Sequence, residues 1–120
     1  MTKAEWFDSI RAACEEAGTY RVFFNSVIET LASILEKRDD ALDVFEKTGG
    51  NVIVTHTNKA GAKNLEQNPA LRLANDLNRD ALVYWRDLGL TPAGLKKLNA
   101  DVVKDKPEGS LEQLLSKLSE

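Results

Sequence analysis

Between Asn68 and Asn99 the chain carries a helix start, a long run of helical periodicity, a stop and a second start. Asn68 can accept a hydrogen bond from the backbone of a first helical turn, and Pro69 suits the first helical position, where a missing N–H costs nothing. Leu71, Ala74, Ala81, Leu82, Trp85 and Leu88 then recur at spacings that put them on one face. Arg72, Asp76, Arg79, Asp80, Arg86 and Asp87 fall mostly off it. Gly89 stands where a left-handed C-terminal stop is wanted, with Leu90 placed to close back on Trp85. Thr91-Pro92 restarts a short helix to about Asn99, and Leu95 and Leu98 give it an apolar edge. A stretch punctuated this way reads as helix, stop, helix.

The preceding residues supply something for that helix to pack on. From Thr2 to Ala17, Trp6, Ile10, Ala13 and Cys14 form a narrow apolar stripe, Thr2 and Glu5 are spaced as a capping box, and Gly18 supplies a stop. Cys14 lies on the stripe beside Glu15 and Glu16, whose charges disfavour a thiolate, so it reads as a small buried hydrophobe. Thr19 is then expected to cap a helix running to about Lys47, roughly 40 Å at 1.5 Å per residue. Phe24, Ile28, Leu31, Leu35, Arg38, Leu42 and Phe45 make a heptad seam along it, and Phe23, Val27, Ile34 and Ala41 make a second. This apolar face is wider than one partner helix covers. It is expected to pack on the Asn68 helix and also on the first helix, on a neighbouring subunit, or on both. The candidate self-association residues are therefore Phe23, Phe24, Val27, Ile28, Leu31, Ile34, Leu35 and Arg38. Arg38 would select a register, meet an acidic partner, or simply snorkel to solvent.

Gly49-Gly50 ends the long helix, and the chain changes character. Val52-Ile53-Val54-Thr55 is β-branched and Asn58-Lys59-Ala60-Gly61 is turn-like, which predicts a small hairpin or an ordered loop. No acidic residue occurs from Asn51 to Leu65, whereas His56, Lys59 and Lys63 can donate to phosphate oxygens, with Asn58 and Asn64 beside them. The loop reads either as a DNA-contacting tip or as a polar connection between antiparallel helices. Charge along the chain leans the same way. Residues 1–50 hold six Lys/Arg against ten Asp/Glu, residues 51–106 nine against six, and residues 107–120 one against three. A DNA-facing surface should come from the middle, even though the whole chain is at −3.

Residues 100–109 have little apolar periodicity and are expected to be a linker between a helical domain, residues 1–99, and a C-terminal helix, residues 110–120. In that last segment Ser110 and Gln113 form a capping box, and Leu111, Leu114, Leu115 and Leu118 share a face. So short a helix does not persist alone in water, so it is expected to dock on its own domain or in a partner's groove.

Much chemistry is missing from the sequence. One cysteine and one histidine allow neither an intrachain disulfide nor a Cys/His zinc site within one chain. There is no phosphate-binding glycine loop of either common type, and no cofactor is expected. The carboxylates Asp39, Asp40, Asp43 and Glu46 sit beside Lys37 and Arg38 as a solvated helix face does, so a non-enzyme is expected. There is no membrane-spanning run, and the first residues lack the basic-then-apolar pattern of a signal peptide, which predicts a cytosolic protein. At 120 residues the chain is one domain's worth, able to bury about two thirds of its unfolded surface. The turn at Gly89 also permits a helix-turn-helix, with Lys96 and Lys97 on the second helix. That helix looks short, and no arginine lies on its exposed face to read guanine.

Asn68-Pro69-Ala70-Leu71, the amphipathic helix behind it, and Asp87-Leu88-Gly89-Leu90-Thr91-Pro92-Ala93-Gly94-Leu95 together resemble the closing signature of phage terminase small subunits. The likeness extends more loosely back to about Tyr20. It implies a protein that recognises double-stranded viral DNA in the cytoplasm of an infected or lysogenic bacterium and assembles into a ring through helical hairpins. It also implies regulation of a separate large subunit that holds the ATPase and nuclease, contacted through the C-terminal segment. Longer family members carry a separate N-terminal DNA-binding module, for which only the acidic first helix is available here. The expected fold is mainly α, a central helical hairpin with short flanking helices and a minor β element. A phage structural or adaptor protein and a small helix-turn-helix regulator are the alternatives.

Overall fold

The computed structural model describes residues 1–105, with side chains described through Asn99. Helix α1 spans Lys3–Ala17. Thr2 Oγ1 accepts from the Glu5 backbone, and Glu5 Oε1 accepts from the Thr2 backbone, each at 3.2 Å, so the capping box forms as expected. Gly18, at φ 74°, ends the helix. Thr19 does not open the next helix. Its hydroxyl donates to the Cys14 carbonyl at 3.4 Å, it is buried, and it completes the end of α1. With that side chain spent, one tight 3-10 turn intervenes at Val22–Phe24, and α2 runs Asn25–Lys47, about 35 Å rather than 40 Å.

After Gly49-Gly50, strands β1 (Ile53–Thr57) and β2 (Lys63–Gln67) form an antiparallel hairpin, Ile53 opposite Gln67 and Thr57 opposite Lys63. Helix α3 spans Pro69–Asp87 and α4 spans Pro92–Asp105. Asn68 Oδ1 accepts from the Ala70 backbone at 3.0 Å, as its predicted cap role requires. At the far end Leu90 N donates to Trp85 O and Gly89 N to Arg86 O, both at 2.9 Å, which is a Schellman stop with Gly89 at φ 73°. Thr91 Oγ1 caps α4 by accepting from Gly94 N at 3.0 Å. Helix α4 continues past the expected end at Asn99, so the stretch read as linker is helical to Asp105.

Helices α2 and α3 form the central antiparallel pair. Arg38 Nη1 donates to Asn78 Oδ1 at 3.1 Å, setting their register. The buried alanines Ala41 and Ala74 fall three residues on and four residues back from that bond, where small side chains let the backbones approach. Helix α1 lies along the first part of α2. Trp6 Nε1 donates to Asp39 at 2.8 Å and Lys3 N to Glu36 at 2.6 Å. The core sits where the three helices overlap: Ile10 and Cys14 from α1, Ile28, Leu31, Ala32 and Leu35 from α2, and Ala81 from α3, with Leu88 just past its end. Fully burying a side chain such as Ile28 or Leu31 contributes about 1.5–3 kcal/mol. Leu82, expected on the buried face, is exposed. The contact stripe of α3 runs Ala74, Ala81, Leu88, and Leu82 lies about 100° around the helix from Ala81, on a flank that no other helix covers among the described residues.

The β-hairpin prolongs the helix pair at the end away from α1 and α4. Asn68 anchors it: its backbone N–H donates to Val52 O at 2.7 Å and its side-chain amide to Asn51 O at 3.0 Å. The result is a rod of 75 × 25 × 22 Å with a radius of gyration of 21.2 Å, where a compact chain of this length would have about 14 Å.

Candidate nucleic-acid interface

The distal tip is built by Asn58. Its Oδ1 accepts from the Ala60 and Ala62 backbones, both at 3.0 Å, and Gly61 supplies the left-handed residue at φ 83°. Asn58 therefore shapes the turn that presents Lys59. Lys63 opens β2 opposite Thr57. Both lysines are exposed, and neither has a carboxylate within ion-pair distance among the described residues. The alternation of a strand separates the other candidates: His56 and Asn64 share one face with Val54 and Glu66, whereas Lys63 shares the opposite face with Ile53 and Leu65. His56 Nδ1 lies 3.8 Å from Glu66 Oε1. The acid-free window ends at Leu65, one residue short of that carboxylate, and only the strand register brings Glu66 beside His56.

Lys96 and Lys97, exposed on α4, do not join this tip. The whole of α3, about 28 Å long, lies between them. A cation that the periodicity assigned no role stands at their end of the rod. Arg21 donates to the Tyr20 carbonyl at 2.7 Å, has no carboxylate partner among the described residues, and helps line a cavity of about 150 Å³ with Gly18, Phe23, Leu98 and Asn99. The signal for it is the interruption of the helix at Arg21-Val22-Phe23-Phe24, where a continuous helix was expected. The length of α4 also removes one objection to a helix-turn-helix; the lack of an exposed arginine on its described face stands.

Of the candidate self-association residues, Ile28, Leu31 and Leu35 are fully buried in the chain's own core, and Phe24, Val27 and Ile34 pack half-buried against it. Arg38 is engaged within the chain, ion-paired to Asp39 at 2.9 Å and lying over the Trp6 ring at 5.4 Å. Phe23 is 74% exposed. Large apolar side chains left open also include Val44 on α2, Leu73, Leu82 and Val83 on α3, and Ile53 and Leu65 on the hairpin. Leu111, Leu114, Leu115 and Leu118 lie outside the described residues.

Burial pushes the Cys14 thiol up, and a hydrogen bond involving Thr19 offsets this only in part. Asp39 is committed to the α1–α2 contact and Asp43 pairs with Lys47 at 2.7 Å. Among the described residues no cluster of His, Cys, Asp and Glu suits a metal ion, and no helix is long and apolar enough to cross a membrane. What the arrangement offers is exposed cationic side chains toward both ends of a rod whose flanks carry exposed apolar residues.

A family model described as phage terminase, small subunit, matches residues 3–105. No curated protein and no solved structure matches the chain.

Proposed function

This chain belongs to the phage terminase small-subunit family, and from that premise we propose that it is a non-catalytic subunit that self-assembles, holds double-stranded viral DNA and regulates a separate large subunit in the bacterial cytoplasm. The observation that carries the reading is the projecting tip, where Lys59 and Lys63 stand exposed, without carboxylate partners among the described residues, at the end of a helical hairpin. One copy offers few phosphate contacts and binds weakly. Several copies side by side multiply them, and the later contacts form at the high effective concentration set by the assembly. Self-association is supported by the apolar flanks of α2 and α3 and by the hairpin itself. A two-stranded sheet is marginal alone, and this one carries Ile53 and Leu65 in the open. The C-terminal leucines are the proposed contact to the large subunit.

The test is molar mass by light scattering with and without duplex DNA at low salt. A discrete oligomer that gains mass with DNA is expected. Replacing Lys59 and Lys63 by glutamate should lower affinity at least tenfold with an unchanged circular dichroism spectrum. Unchanged binding would remove the tip from the site, and an oligomer indifferent to DNA would instead favour an adaptor that binds protein only.

A further inference from the structure

We propose that in the free protein the C-terminal segment, residues 110–120, folds back within its own chain onto the groove between the Gly18–Phe24 turn and α4. The groove has the apolar surface such a segment needs. Val22 and Phe23 are each 74% exposed. Phe24 packs against the core and meets Phe23 edge to face, ring centroids 4.7 Å apart, so Phe23 is braced outward rather than free to collapse. Leu98 forms the opposite wall. The only large apolar face left in the sequence outside the described residues is the leucine row Leu111, Leu114, Leu115 and Leu118.

The tether has the right reach. Helix α4 carries the chain about 10 Å from Leu98 to Asp105. Residues 106–109 then hold Pro107 and Gly109, which stop and turn helices. Eleven residues reach about 16 Å even at the short rise of a helix, enough to cover the roughly 10 Å back to the level of Leu98. Charge agrees as well. Residues 107–120 hold three acidic residues against one basic, and Arg21, Lys96 and Lys97 at the groove end have no carboxylate partner among the described residues. A short tether also gives the segment a local concentration in the millimolar range, which favours its own groove over that of another chain. The consequence, that the large subunit must displace the segment to reach its leucines, rests on the function proposed above; the contact itself does not.

Cross-linking the full chain tests the contact. Cys14 is fully buried and leaves a clean background. Two double variants, F23C/L115C and F23C/L118C, are oxidised at low micromolar concentration, with L65C/L115C as the control at the opposite end of the rod. An intrachain disulfide is expected in at least one of the first two pairs and not in the control, because the Cα atoms must come within about 7 Å. Interchain product alone, or no product in either pair, overturns the proposal. Hydrogen exchange on full-length L115D/L118D gives a second reading that needs no cysteine. The amides of residues 20–24 should exchange at least tenfold faster than in the unmodified chain, and unchanged rates overturn the proposal. If both readings fail while L115D/L118D still abolishes binding of the large subunit, the fold-back is wrong and the partner contact stands.

Discussion

Asp39 gathers three donors from separate parts of the chain: the Trp6 indole at 2.8 Å, the Met1 amine at 3.1 Å and the Arg38 guanidinium at 2.9 Å. Burial alone would raise its carboxyl, but the hydrogen bonds from Trp6, Arg38 and the Met1 amine together hold it below its ordinary value. A carboxyl lowered by folding binds its proton more readily in the unfolded chain. Its contribution is therefore present at neutral pH and is lost as pH falls below about 4, through the ordinary carboxylate range and on to the folded value. Asp39→Asn should cost about 1–3 kcal/mol at pH 7, and the gap to the unmodified protein should close on acidification below about pH 4. Denaturant titrations at a series of pH values check both. Sequence reading saw Asp39 as one of several surface acids and Arg38 as a break in a seam. Their partners Trp6 and Asn78 lie 33 and 40 residues away, beyond any local pattern.

At the scale of elements, the joints decide the shape. Asn68 caps α3 and holds the base of the hairpin by two further bonds, so Asn68→Ala should cost about 1 kcal/mol for the cap and more for the anchor. Amide exchange in β1 and β2 should quicken while the α1–α2 core stays protected. Gly94 marks the other joint. A Cβ there would collide with the Arg86 carbonyl, a backbone atom that cannot swing aside. Gly94→Ala should push α4 off the end of α3 at a cost of about 1–3 kcal/mol, read as a lowered denaturant midpoint. The caps at Thr2, Asn68 and Thr91 and the stop at Gly89 were legible in the sequence because each acts within five residues. Thr19 misled because its hydroxyl was free to serve either neighbour, and the end of α1 took it. The hairpin was legible as β-branched residues around a turn, but not which face His56 would share, since that depends on register.

For the whole molecule, a rod exposes more side surface than a sphere of equal mass, and this side includes the exposed apolar residues Val44, Leu73, Leu82 and Val83. Ala41, Val44, Leu73 and Leu77 line one groove between α2 and α3, with Val44 and Leu73 each about half exposed. If copies pack flank to flank, Val44→Asp with Leu73→Asp should reduce the mass in solution to that of a single chain without altering helix content; a mass that stays high would move the interface elsewhere. The sequence already places the two cationic regions in separate segments, the 56–63 loop and the helix after Gly89, and the length of α3 fixes how far apart they stand. Such proportions also bear on how the protein behaves on a sizing column. With a radius of gyration of 21.2 Å, one chain has the dimensions of a compact protein of nearly 400 residues, about three times its own length. It should elute as early as a globular trimer, so retention volume will mistake a lone rod for an assembly where scattered light, which weighs the particle, will not.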